Sequence, residues 1–156
     1  ATEIESALNN GLTPLVPSTN RPGYTIIARS ITSRSLASGV PNYAVLDTSN
    51  VTICDYVADD LNSFLASTYA GFKITSDSSD GTPPRAPNVT SPSLIRAVIA
   101  QRLAEFEERA IIKDTTANLP LLTVTASATP GRIDCNIPCE PMPGLHVLGG
   151  DVRHLS

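Results

Sequence analysis

At 156 residues, with 41% hydrophobic residues and a net charge of −4, the chain has a one-domain length and enough apolar content to bury a real core. It lacks the Lys/Arg cluster that a nucleic-acid backbone site needs, and its longest apolar runs are too short to cross a bilayer. With no tryptophan and 4% aromatics the core must be aliphatic, and 17% charged residues is low: either the surface is mildly polar and Ser/Thr-rich, or partners normally cover part of it.

No charged-then-apolar leader opens the chain, and Ala1 in place of Met suggests processing or a truncated start. Thr2 to Leu8 reads as the tail of a helix, stopped by Asn9, Asn10 and Gly11. Leu12 to Pro22 carries three prolines and reads as an extended connector. Tyr24 to Ser33 is dense in β-branched residues and reads as a strand. Ser35 to Pro41 is a Gly/Ser/Pro loop.

The strongest signal runs from Val51 to Phe72. Apolar residues at Val51, Cys54, Val57, Ala58, Leu61, Phe64, Leu65 and Tyr69 draw one stripe at helical period. Asp47, Ser49 and Asn50 are each placed to cap its start, and Gly71 to close its end. Such a helix needs a surface to lie on.

Ile74 to Thr90 holds three prolines and little apolar content, which predicts a long exposed loop. Asp77, Asp80 and Gly81 within it miss the spacing of a calcium loop. Thr90 or Ser91 then caps a second helix, with Pro92 preset for its first position. Leu94, Ile95, Val98, Ile99, Leu103 and Phe106 trace its stripe, interrupted by Arg102. Glu105 and Arg109 have the spacing of an i,i+4 pair. The cluster Arg102, Glu105, Glu107, Glu108 and Arg109 reads either as a solvated face or as a patch that meets a partner.

Leu119 to Thr129 alternates apolar and polar residues, a strand with one wet face. Thr129-Pro130-Gly131-Arg132 carries a type II turn signature, and Arg132 to Ile137 returns as the second arm of a hairpin. A proline-rich connector follows, then a short fourth strand at Leu145 to Leu148 and a tail to Ser156. The expected fold is α+β: about four strands in one antiparallel or mixed sheet, with two long helices on one face. The expected organisation is a helix end and connector over residues 1–22, a globular domain over 23–144, and a last strand and arm over 145–156.

Reactive chemistry is hard to place. His146 falls in the last strand and His154 in the tail, without cysteines at metal-site spacing. Cys135 and Cys139, four positions apart on a presumed strand, would stand roughly 13 Å apart if extended, too far to bridge. The three thiols are therefore expected to be reduced and buried. Asp59 and Asp60 are adjacent and point to different sides of a helix. Gly149-Gly150 precedes no helix and is no phosphate cradle. Catalytic, cofactor and metal sites are accordingly expected to be absent. The last strand, ending the chain after a proline-rich arm, either pairs in its own sheet or adds to a neighbour's edge.

Seven stretches, in order, resemble contractile phage tail sheath proteins of the Mu-like kind, in their C-terminal part. They are TPLV (Thr13–Val16), RSITSRS (Arg29–Ser35), NYAVLD (Asn42–Asp47), CDYVADDL (Cys54–Leu61), SPSLIRA (Ser91–Ala97), PGRID (Pro130–Asp134) and LHVLGGDVR (Leu145–Arg153). No single stretch is a chemical signature; their order and number carry the resemblance. Sheath proteins of this kind are longer, so the chain resembles a piece lacking the upstream domains and the N-terminal arm.

The resemblance implies a structural subunit of the virion tail, made in the bacterial host cytoplasm. Its partners would be copies of itself in stacked sixfold rings, the tail tube protein, and the baseplate and tail terminator proteins. It implies neither nucleic-acid binding nor membrane insertion. The C-terminal domain would lie against the tube, arms would add strands to neighbouring subunits, and contraction would drive the tube through the host envelope without nucleotide use. Leu145, His146, Val147, Leu148, Gly149, Gly150 and Val152 become candidates for strand exchange. Arg102, Glu105, Glu108 and Arg109 become candidates for contact with the tube or a neighbour. The alternative is a small cytosolic enzyme or ligand-binding module built on Cys54, His146 and loop carboxylates.

Overall fold

A computed structural model describes residues 3–32, 36–37, 40–41, 46–78 and 81–144. The elements run α1 (Glu3–Asn9), β1 (Leu15–Pro17), β2 (Thr25–Ile27), β3 (Leu36–Ala37), β4 (Val40–Pro41), α2 (Thr48–Thr68), β5 (Lys73–Ile74) and β6 (Val89–Thr90). They continue with α3 (Pro92–Glu108), the short α4 (Thr115–Asn118), a 3-10 turn (Leu119–Leu121), β7 (Thr123–Ala126) and β8 (Ile133–Asn136).

Two helices and one hairpin build the core. On α2, Val57 and Leu61 are buried, with Ile53, Leu65 and Tyr69 packed beside them. These recur every fourth residue, so they form one row down the helix. On α3, Ile95, Ile99, Leu103 and Phe106 are buried. Ile112 and Leu122 close the cluster, and Val124, Ile133 and Ile137 of the hairpin flank it. Phe106 is fully enclosed and meets the edge of Tyr56 from α2, ring centroids 6.0 Å apart.

The helix ends follow local rules. Ser91 takes the N-cap position of α3 and Pro92 its first turn. Past the end of α2, Gly71 takes a φ of +76°, open to glycine without cost. At the end of α3 the residue after the cap is Ala110, at φ +55°. Its N–H donates to the Glu107 carbonyl, and that of Ile111 to the Phe106 carbonyl, a Schellman closure. Gly131, at φ +79°, makes the turn between β7 and β8, with the Arg132 N–H donating to the Thr129 carbonyl.

The fold is mixed and broadly α+β, but the expected single four-stranded sheet does not form. The described strands pair as four separate two-stranded ribbons, β1 with β2, β3 with β4, β5 with β6 and β7 with β8. All are antiparallel except β5–β6. Each described strand is four residues or fewer.

Other expectations shift with this. α2 begins at Thr48, ahead of Val51, and its buried row runs through Ile53, leaving Val51 exposed. Of the described residues from Tyr24 to Thr32 only Thr25–Ile27 is strand; Ile31 instead makes an isolated bridge to Asp47. The presumed connector is the other half of that ribbon, since Leu15 pairs with Ile27. Leu119 to Leu121 is a 3-10 turn with Pro120, which lacks a ladder N–H, at its centre, and Arg96 of α3 donates to the carbonyls of Leu119 and Leu122 on either side. The loop over 74–90 is tied at its base, where Lys73 and Ile74 pair with Val89 and Thr90. Cys135 is exposed, against the expectation of burial.

Candidate assembly surface

Arg102 is held inside the helix pair more than on its surface. Its Nε and Nη2 donate to the Asp60 carboxylate of α2 at 2.9 and 3.0 Å, and Nη1 donates to Glu105 at 2.6 Å. The guanidinium also lies 5.3 Å from the Phe64 ring centroid and 5.4 Å from that of Phe106. Its hydrogen bonds to Asp60 first, then to Glu105, raise its pKa further, so the charge is permanent. The residue that interrupts the apolar stripe of α3 thus joins α3 to α2.

Glu105 pairs back to Arg102 instead of forward to Arg109. Arg109 leans over Phe106 at 5.9 Å and reaches the Tyr56 hydroxyl at 3.4 Å. Glu108 is exposed beside it. Arg109 and Glu108 therefore remain open to a partner at the end of α3, while Arg102 and Glu105 are engaged with each other. The strand-exchange candidates, residues 145–156 including His146, lie outside the described residues.

Among the described residues, exposed large apolar side chains gather on and beside β1–β2. Leu15 and Ile27 face one another across the ribbon and are 67% and 56% exposed. Ile26 on the opposite face, and Tyr24 and Leu12 at its ends, are exposed too. The ribbon is fastened to the helices through its root. Arg29 donates to both oxygens of Asp47 at 2.7 Å, Thr32 N–H donates to the Leu46 carbonyl, and Thr13 Oγ1 exchanges hydrogen bonds with the Ile31 backbone. Asp47 is mostly buried at the N-cap position of α2. The sequence shows β-branched residues here but not that both faces stay uncovered, which depends on the ribbon ending at two strands.

The clefts are open; the first below is mostly apolar and the second is polar and apolar in about equal parts. One of 590 Å³ lies between the start of α2 and the end of α3, lined by Thr48, Thr52, Ile53, Tyr56, Arg109 and Ile111 among others. Another of 340 Å³ runs between α2 and the hairpin, with Leu61, Leu65, Ile133 and Ile137 in its walls. Cys54, central to the enzyme alternative, faces Cys139, with their sulfurs 3.3 Å apart. Among the described residues no three His, Cys, Asp or Glu side chains converge as a metal site would require, and no helix is long and apolar enough to cross a membrane.

No protein-family model and no curated protein sequence matches the chain.

Proposed function

We propose that the chain is a structural subunit of a contractile tail sheath, which polymerises around an inner tube and contracts to drive it through a host envelope. The observation that carries the reading is the β1–β2 ribbon, which presents Leu15, Ile26 and Ile27 to solvent on a tether of ion pair and backbone bonds. An apolar ribbon with no third strand among the described residues is costly for a monomer and useful to a polymer, because edges pair through main-chain hydrogen bonds with another copy. The seven ordered stretches named above support the same reading. In it the chain performs no chemistry of its own, and needs no cofactor. Its partners are copies of itself, the tube protein, and the baseplate and terminator proteins at the ends. Residues 145–156 serve as the exchanged strand, and Glu108 and Arg109 meet the tube or a neighbour.

Electron microscopy of the complete gene product tests this. Helical tubes of stacked sixfold rings are expected, and deletion of residues 145–156 is expected to leave a folded protein that no longer polymerises. Tubes of normal length from the deleted protein would refute the strand-exchange role. A protein that stays monomeric at every concentration would refute the sheath reading itself.

A further inference from the structure

Cys54 and Cys139 are 85 positions apart in the chain, yet their sulfurs meet at 3.3 Å. Both side chains are half-buried. Cys54 comes from α2, and Cys139 from the proline-rich segment after β8, so the contact joins two parts of the fold that no continuous element connects. A formed disulfide has an S–S length of about 2.05 Å, so closure needs a movement of about 1.3 Å, within reach of two side-chain rotations. The segment bearing Cys139 is already positioned from its other side. Lys113 N–H donates to the Glu140 carbonyl, Met142 N–H donates to the Ile111 carbonyl, and Lys113 Nζ pairs with Glu140 at 2.7 Å.

We propose that Cys54 and Cys139 form a redox-sensitive clamp, closed by a low-molecular-weight disulfide and opened by thiols, that ties the segment leading to residues 145–156 onto α2. The thiolate of one cysteine attacks the small disulfide, forming a mixed disulfide and expelling one small thiolate. The other cysteine attacks the protein sulfur of that mixed disulfide and expels the second. Two protein thiols lose two protons and two electrons, and the small disulfide is reduced to two thiols. Burial, with the neighbouring Cys54, pushes the Cys139 thiol up to about 12. In a reducing compartment the pair rests as two thiols, and because closure needs a thiolate it speeds up as pH rises. The clamp does not rest on the assembly reading, because it needs only the described contact.

The test uses the Cys135→Ser variant, which removes the exposed third thiol, treated with excess oxidised glutathione at mildly alkaline pH. The expected product is a monomer lighter by two hydrogens, free of glutathione, resistant to alkylation, with Cys54 and Cys139 in one cross-linked peptide. Its Tm should rise by roughly 5–15 °C, because the bridge closes a long loop in the unfolded chain, and dithiothreitol should reverse the rise. With Cys139→Ser added to the Cys135→Ser variant, one glutathione should instead remain on Cys54. Two thiols still alkylatable at equilibrium, stable glutathione adducts on both, or a bridged protein with unchanged Tm would each overturn the proposal.

Discussion

Ala110 sits at φ +55° where α3 ends, in the left-handed region that costs a residue with a Cβ about 1 kcal/mol. The position is held because Ala110 and Ile111 deliver their N–H groups to the Glu107 and Phe106 carbonyls and because Ile111 then packs against the core. Ala110→Gly should keep both bonds and remove the strain, stabilising the protein by about 1 kcal/mol and raising Tm by roughly 2–4 °C. Thermal unfolding checks this; a fall in Tm would mean that the alanine methyl contributes packing that outweighs its strain. Arg102 offers a second lesson at this scale. A charged residue on an apolar stripe looks like surface, but two aromatic rings and the Asp60 carboxylate make it part of the packing.

Among the elements, α3 is secured at its N-terminal end by a side chain from outside the helix. Asp77, in the loop before β6, accepts from the Ser93 N–H at 3.0 Å, so a residue outside the helix satisfies one of its orphan first-turn donors. Hydrogen bonds from the Ser93 and Ser91 hydroxyls, then the Ser93 backbone, hold the Asp77 carboxyl below its ordinary value of 3.8. A depressed carboxyl contributes stability that is present above the unfolded value and is lost as pH falls through the folded one. The loop should therefore stay docked at neutral pH and detach in acid. Hydrogen exchange at the Ser93 amide, corrected for intrinsic rate, should lose protection between about pH 5 and pH 2. Asp77→Ala should show the unprotected rate throughout. Equal protection in the two proteins would contradict the tether.

What was legible at this scale was local. The helices α2 and α3, the Ser91-Pro92 start and the Pro130-Gly131 turn express short-range rules and stand in the structure, although the α2 row runs through Ile53 in place of Val51 and neither Asp47 nor Ser91 caps its helix with a side-chain hydrogen bond. Pairings across long separations were not legible: Ile31 with Asp47, Lys73 with Val89, and Cys54 with Cys139 leave no period in the sequence. The strands were overextended for a related reason. Alternation marks residues able to pair, but strand length is set by what lies opposite and by where a ladder N–H is missing, as at Pro120 in the 3-10 turn before β7. For the candidate surface, the apolar character of Ile26 and Ile27 was readable, while their exposure was not.

As a whole, the molecule has a helix-and-hairpin core around Phe106 and an apolar ribbon tethered beside it. That arrangement suits a lattice with two packings, since a ribbon joined by main-chain bonds to a neighbour can hold while the helical bodies rotate. The central claim is that copies associate through this ribbon. The most direct measurement is sedimentation of the complete gene product beside its Leu15→Lys/Ile27→Glu variant, whose opposite charges keep the cross-strand pair favourable. Both positions are exposed and opposite one another, so the variant should fold with its Tm little changed, while the rapidly sedimenting polymer of the unaltered protein disappears. Polymer of undiminished size and amount from a folded variant would contradict the account.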